Sequence, residues 1–196
     1  MNRIKTMGFA VACIAASVVY AQSQQATAKV GQAAPNFTLT DSNGKNVSLS
    51  DYKGKYVVLE WTNHDCPIVV GHYKSGNMQQ TQKWATGKGV VWLAIVSSAP
   101  GKQGHVTGPE ANDIMKEKGH NVSAMLLDPN GNVGRTYGAK TTPHMYIISP
   151  DGTLLYNGAI DDKKERNHVI AGLEEAMAGK ALTVPTSQPY GCGVKY

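Results

Sequence analysis

The chain has 196 residues, enough for one domain of ordinary size with trimmings at its ends. Hydrophobic residues make up 41% and charged residues 17%, which supplies a core and excludes general disorder. The net charge is +5, and no run of Lys and Arg interleaved with aromatics occurs, so nucleic acid is not an expected partner.

Residues 1–21 have the layout of a secretory signal. Arg3 and Lys5 make a basic start, Met7 to Val19 is mostly small or apolar, and Val19-Tyr20-Ala21 suits a signal peptidase. An uncleaved anchor is one alternative. A lipid attached at Cys13 is another, although Ala10 stands where a leucine is usual. Cleavage removes two basic residues and no acidic one, which takes the net charge from +5 to +3. No other segment reaches about 18 uninterrupted apolar residues, so no stable membrane span remains after cleavage. An exported protein, periplasmic or secreted, is expected. It keeps two cysteines, Cys66 and Cys192, a pair able to form a disulfide in an oxidising compartment.

Residues 22–33 are small and polar and read as a loose arm. Phe37 and Leu39 then alternate with polar neighbours, and Val47 and Leu49 resume the alternation beyond Asn43-Gly44. That predicts a hairpin with positive φ at both turn residues. "KGKYVVLEW" and "GVVWLAIV" are Val-rich apolar runs bounded by glycines and read as buried central strands. Residues 67–86 predict a helix broken near Gly76. "GPEANDIMKEKG" predicts another, with Pro109 early and Gly119 as the stop. "SAMLLD" reads as a strand, "PNGNVGRTYG" as a turn and about one helical turn, and "HMYIISPDGTLLYNGAI" as two strands joined at Asp151-Gly152. A last helix is predicted over 162–178, with Val169, Ile170, Leu173 and Met177 on one face. Asp161-Asp162 is read as its cap. Residues 179–196 have no periodicity and read as an irregular tail carrying Cys192. Strands alternating with helices, closed by a hairpin and a helix, predict an α/β protein with a mixed sheet.

The segment "WTNHDCPIVVGHY" carries the chemistry. With the strand ending near Trp61 and Pro67 at the first helical position, Cys66 becomes the helix N-cap. There the helix dipole and free N–H groups favour a thiolate. The position also lies at the carboxyl edge of the sheet, where α/β folds place their sites. The alternative is a buried structural cysteine. Thr142-Pro143 precedes a late strand. A cis proline there leaves the backbone before it open to pair with a peptide beside the cysteine. "SSAPGKQGHVTGPE" follows a central strand and is expected to overhang the same edge.

The stretches "VGQAAPNFTLTDSNGKNVSLSDYKGKYVVLEWTNHDCP" and "YGAKTTPHMYIISPDGTLLYNGAIDD" resemble the thioredoxin-like superfamily. More closely they are similar to the redoxin group around alkyl hydroperoxide reductase and thiol-specific antioxidant proteins. The resemblance runs over roughly residues 30–178. It implies a thioredoxin-like fold, a central mixed β-sheet flanked by helices on both faces. It also implies that Cys66 is the attacking cysteine and Pro143 the cis proline. The expected activity is thiol-dependent oxidoreduction, on a thiol or disulfide protein or on a peroxide, with an unidentified electron donor and no cofactor.

Two departures from the family matter. The local Cys-x-x-Cys disulfide is impossible, because Val69 stands three residues after Cys66. Many family peroxidases place a threonine three residues before the cysteine and an arginine near the late strand. Here Asn63 holds the first place, able to donate to one peroxide oxygen, and Pro143 falls near the second. Arg135 is the nearest arginine in sequence, and the second donor stays unassigned.

Cys192, flanked by Pro189, Gly191 and Gly193, is read as a resolving thiol delivered by a mobile tail. A static disulfide with Cys66 and an unpaired thiol are the alternatives. His64 and His144 are expected near the same edge, where either can lower the Cys66 pKa. With Cys66, and with Met145 as a further ligand, they also make a copper site of Sco type conceivable, the second function class considered. A third is a binding domain that has lost the chemistry. His72, His105, His120 and His168 read as surface or helix residues.

Overall fold

The computed structural model describes residues 27–196. The expected leader, and residues 22–26 of the expected arm, lie outside these. The remainder of the arm is not loose. The Ala28 N–H donates to Thr136 O at 3.1 Å, and the Gly31 N–H and Gln32 O pair with Leu154. Polar composition gave the wrong reading because backbone groups, not side chains, hold this segment.

Strands β1 (Thr38–Asp41) and β2 (Asn46–Ser48) form the first hairpin, followed by a 3-10 turn over Leu49–Tyr52. The turn differs from expectation, since Gly44 is left-handed (φ 80°) and Asn43 is not. Asp41 accounts for this. Its Oδ1 accepts from the N–H groups of Asn43 and Lys45, so a side chain closes a four-residue loop where a two-residue turn was expected.

Strands β3 (Val57–Trp61) and β4 (Val91–Val96) pair in parallel, and β5 (Ala124–Leu127) adds in parallel to β4. Strand β7 (His144–Ile148) runs antiparallel to β3, and β8 (Leu154–Gly158) antiparallel to β7. The seven-stranded mixed sheet has the order β2-β1-β5-β4-β3-β7-β8. Its centre is apolar on both faces, as a strand covered on both sides requires. Leu59, Trp61, Leu93, Ile95 and Leu126 point to one face, where helix α4 (Asn132–Tyr137) packs through Val133 and Tyr137. Val58, Trp92, Met145 and Ile147 point to the other. There they meet Val69 and Tyr73 of α1 (Pro67–Lys74), Met78 and Ala85 of α2 (Asn77–Gly87), and Val169 and Leu173 of α5 (His168–Met177). Burying each large aliphatic side chain contributes roughly 2 kcal/mol.

The helical stretch breaks where expected. Gly76 is left-handed at φ 77° between α1 and α2. Helix α3 (Gly108–Lys118) starts with a Thr107–Glu110 capping box and stops at left-handed Gly119. The last helix starts six residues later than expected, at His168. Asn167 caps it by accepting from the Val169 and Ile170 N–H groups. Asp161 and Asp162 are therefore not its cap. Their side chains hold the loop before it, accepting from the N–H groups of Lys163 and of Lys164 and Arg166.

One carboxyl is sealed inside. Glu60, fully buried, accepts from Trp92 Nε1 at 2.8 Å and Gln82 Nε2 at 3.0 Å, and its other oxygen lies 3.4 Å from Tyr73 Oη. Tyr73 Oη also lies 3.0 Å from His120 Nδ1. Burial raises the Glu60 carboxyl against the lowering by these donors. A protonated carboxyl suits the geometry, because it donates to Tyr73 while Tyr73 donates to His120. A raised folded-state pKa means that this group's contribution is full below the unfolded value of 4.5 and is lost as pH rises through the folded pKa. Glu60→Gln, which supplies the same donor permanently, is expected to match the parent near pH 4 and to become progressively the more stable as pH rises to neutrality. Glu60→Ala orphans two buried donors and is expected to cost about 3 kcal/mol or more. Urea unfolding over a pH series checks both.

Candidate active site

Cys66 closes β3 and opens α1. Residues 62–65 form the turn, Cys66 is the N-cap with extended backbone (φ −74°, ψ 121°), and Pro67 takes the first helical position. Its backbone joins both sides, donating to Asn63 O at 3.0 Å and accepting from the Val70 N–H at 2.8 Å. The Thr142–Pro143 peptide bond is cis, and the Thr142 carbonyl oxygen stands 3.2 Å from Cys66 Sγ.

The expected second thiol is also there. Strand β6 (Thr141–Thr142) pairs antiparallel with β9 (Cys192–Gly193), in the register Thr142↔Cys192. This places Cys192 Sγ 2.6 Å from Cys66 Sγ. Cys66 is thereby wholly covered, and Cys192 is half-buried. Burial pushes the Cys66 thiol up. The Cys192 thiol, the N–H groups of Val69 and Cys192 and the Thr142 side chain outweigh it and hold Cys66 below the ordinary thiol range. Cys192 moves the other way, raised by burial, by its hydrogen bond to Cys66 and by the charge there. The two thiols are thus shifted in opposite directions, Cys66 down and Cys192 up.

The segment carrying Cys192 is docked on the body of the protein. On one side Tyr190 Oη donates to Asp161 and lies 3.1 Å from His72 Nε2, with Lys163 Nζ 4.1 Å from the centre of its ring. On the other side Tyr196 Oη donates to Ala139 O at 2.8 Å, and Arg135 lies over the ring at 4.5 Å. The Ala99 N–H donates to Lys195 O, so the loop after β4 grips the segment too. Ser187 ties it further back, to Tyr156 Oη and the Ala159 N–H. Irregular composition concealed all of this, because each hold is one side chain or one backbone pair and leaves no periodic trace.

Asn63 lies in the turn just before Cys66. It is 1% exposed, its Oδ1 accepts from the Asp65 N–H at 2.9 Å, and its Nδ2 donates to Gln103 O at 3.3 Å. The amide braces the turn with its oxygen and with one of its two N–H groups. Arg135 is likewise engaged, with Asn130 O and the Tyr196 ring. The loop after β4 does overhang this edge. Gln103 Nε2 and the Gly104 N–H both donate to Asp65.

The copper alternative is not supported. His144 is 2% exposed, and both ring nitrogens are taken. Nδ1 accepts from the Lys140 N–H at 3.2 Å and Nε2 faces Asn157 Oδ1 at 2.7 Å. Burial lowers its pKa to about 4, so it is a neutral core histidine. His64 pairs with Asp65 at 3.4 Å, and Met145 is buried in the core. Among the described residues no three His, Cys, Asp or Glu are placed to hold a metal. A cavity of about 190 Å³ opens beside α1, lined by His64, Val69 and Val106 among others. Cys66 is not part of its wall.

With this geometry in place, the kinship of the chain can be read. The model of the AhpC/TSA family matches residues 30–157. Over 132 residues the chain is 29% identical to the thiol-disulfide oxidoreductase ResA of Bacillus subtilis, an alignment covering 64% of each chain and so just under two thirds of that relative. A stretch of 33 residues is 54% identical to peroxiredoxin Bcp of the same organism, 17% of this chain and 21% of that one. A solved structure of an uncharacterized conserved protein from Geobacillus kaustophilus superposes with a TM-score of 0.75 at 25% identity, covering 86% of this chain and 92% of that one. The sheet order, the helices on both faces and these likenesses establish the thioredoxin-like fold. The chain belongs to the AhpC/TSA family.

Proposed function

We propose that the protein is a thiol-disulfide oxidoreductase in which Cys66 attacks and Cys192 resolves. The observation that carries this is the juxtaposition of the two sulfurs, 2.6 Å apart, one on the cap of α1 and one on β9, with their pKa values driven apart. The Cys66 thiolate attacks one sulfur of a substrate disulfide. A Cys66–substrate disulfide forms, and the other substrate sulfur leaves as a thiolate and takes a proton from water. Cys192, once deprotonated, attacks Cys66 Sγ and releases the second substrate sulfur as a thiolate. Two electrons have then passed to the substrate, and the protein holds a Cys66–Cys192 disulfide. A dithiol donor resets it by the same exchange in reverse.

The 29% identity to ResA favours disulfides as substrates. Peroxide reduction is the second reading, favoured by the stretch similar to peroxiredoxin Bcp. It has less physical support, since one Asn63 N–H is held by Gln103 O and Arg135, the nearest arginine in sequence, is bound to Asn130 O. We also take residues 1–21 as a leader that directs export. Protein recovered from the exported fraction then begins at or near Gln22, as N-terminal sequencing reads.

Two outcomes follow from the paired thiols. The rate of Cys66 alkylation by iodoacetamide, followed by intact mass, should titrate with a midpoint below the ordinary thiol value of 9.0. In Cys192→Ala the midpoint should move up, because the Cys192 thiol is the first of the lowering influences on Cys66. A midpoint unchanged by Cys192→Ala removes the argument for a polarised pair. With oxidised glutathione, the parent should accumulate the Cys66–Cys192 disulfide. Cys192→Ser should instead stall with one glutathionyl group on Cys66, and Cys66→Ser should give neither product.

A further inference from the structure

The register of β9 on β6 carries a consequence for what binds here. The attacking sulfur is fully covered, and the cover is the chain's own segment 190–194 lying along Thr141–Thr142. A substrate polypeptide must reach the same sulfur past the same carbonyl. Its reactive cysteine therefore has to take the place of Cys192, pairing with Thr142 by strand addition.

The neighbouring positions state what such a segment must contain. A Cβ on Gly191 would stand 2.0 Å from Thr142 O, and Gly191 adopts φ 139°, in the region that side chains disfavour. Glycine before the cysteine is thus demanded twice, by space and by backbone. Gly193, after the cysteine, meets no such limit, its nearest neighbour being Lys140 O at 4.0 Å. Two residues before the cysteine stands Tyr190, in a site built for a hydroxyl. Asn77 Nδ2 lies 3.0 Å from His72 Nδ1 and 2.9 Å from Asp161 Oδ2. With Asn77 donating to Nδ1, the His72 Nε2–H faces Tyr190 Oη, which in turn donates to Asp161. The ring of hydrogen bonds is closed, and Lys163 lies over the aromatic face. A site that hydrogen-bonds a hydroxyl leaves polar groups unpaired when the hydroxyl is missing.

We propose that the groove formed by Thr141–Thr142, His72, Asp161 and Lys163 is a polypeptide-docking site selective for an extended segment with tyrosine and glycine immediately before its reactive cysteine. Residues 190–194 occupy it as an internal copy of that segment. They leave when a partner docks and return to deliver Cys192 for the second exchange. This rests on Cys66 being the attacking thiol.

The test uses the full chain with Cys192→Ser, so that the first mixed disulfide is retained on Cys66. The probes are symmetric disulfides of the peptide SQPYGCGV, of its variant with valine in place of the glycine before cysteine, and of its variant with phenylalanine in place of tyrosine. Oxidised glutathione serves as a probe too small to need the groove. Intact mass gives each rate. In the exchange a Cys66–peptide bond forms, the peptide S–S bond breaks and one peptide thiolate leaves. The parent peptide is expected to react at least roughly tenfold faster than the valine variant, the size of an overpacking penalty. The phenylalanine variant should fall between them. Adding Tyr190→Phe to the protein loosens the internal copy and should speed the parent peptide several-fold. Equal rates for the glycine and valine peptides, with glutathione still labelling Cys66, would overturn the docking proposal and leave the thiol chemistry intact. Failure of every probe, glutathione included, would overturn both together.

Discussion

The structure turns on a strand pair two residues long. Where Thr142 meets Cys192, one backbone register does three things at once. It brings the second sulfur to the first, it covers the first from solvent, and it fills the edge where a substrate would lie. Each strand is too short to be stable by itself. The pairing persists because it is held from outside, by Tyr190 on one flank and Tyr196 on the other, and by Ala99 across the top. A few well-made side-chain contacts thus set the geometry of two sulfurs that are 126 residues apart in sequence.

That arrangement explains why the two cysteines are not equivalent although they touch. Cys66 belongs to the rigid part of the fold, at the junction of a central strand and a helix, with backbone bonds to both Asn63 and Val70. Helix N–H groups oriented toward it favour charge there. Cys192 sits on an added edge, and burial and the neighbouring Cys66 raise it. The proposed roles, attack by the cap cysteine and resolution by the strand cysteine, match where each is attached. The rigid partner needs a low pKa, and the added partner needs the freedom to come and go.

How much of this was legible in the sequence divides along the same line. The sheet, the N-cap cysteine, the break at Gly76 and the stop at Gly119 were readable because each is written in neighbouring residues. An apolar run, a proline after a cysteine and a glycine at a helix end act locally. The docked segment was not readable, because its anchors join residues such as Tyr190, His72 and Asp161 from three distant places. Asn63 was only partly readable for a related reason. Its residue type allows donation to a ligand, but the loop after β4 claims one of its two N–H groups through Gln103 O. His144 followed the proline as expected, yet its place at the start of an inner strand turned both nitrogens toward the protein. The carboxyl of Glu60 within "VVLEW" was the one visible sign of a buried network, and its partners Tyr73, Gln82 and Trp92 lie on three other elements.

Coverage of the attacking sulfur has to be reconciled with reactivity, and the distribution of holding forces does so. The anchors of segment 187–196 are single hydrogen bonds, ring contacts and a short ladder, each worth on the order of 1 kcal/mol net. The sheet beneath is held by side chains buried completely, such as Leu59, Ile95 and Tyr146. Opening at the site therefore costs far less than unfolding, which is how stability is partitioned where proteins must move. A segment held in this range stays in place when no partner is near, shields the thiolate from stray oxidants, and yields to a polypeptide that offers the same bonds. Displacement then conserves hydrogen bonds rather than breaking them, since the incoming strand satisfies the Thr141–Thr142 edge that the outgoing one leaves.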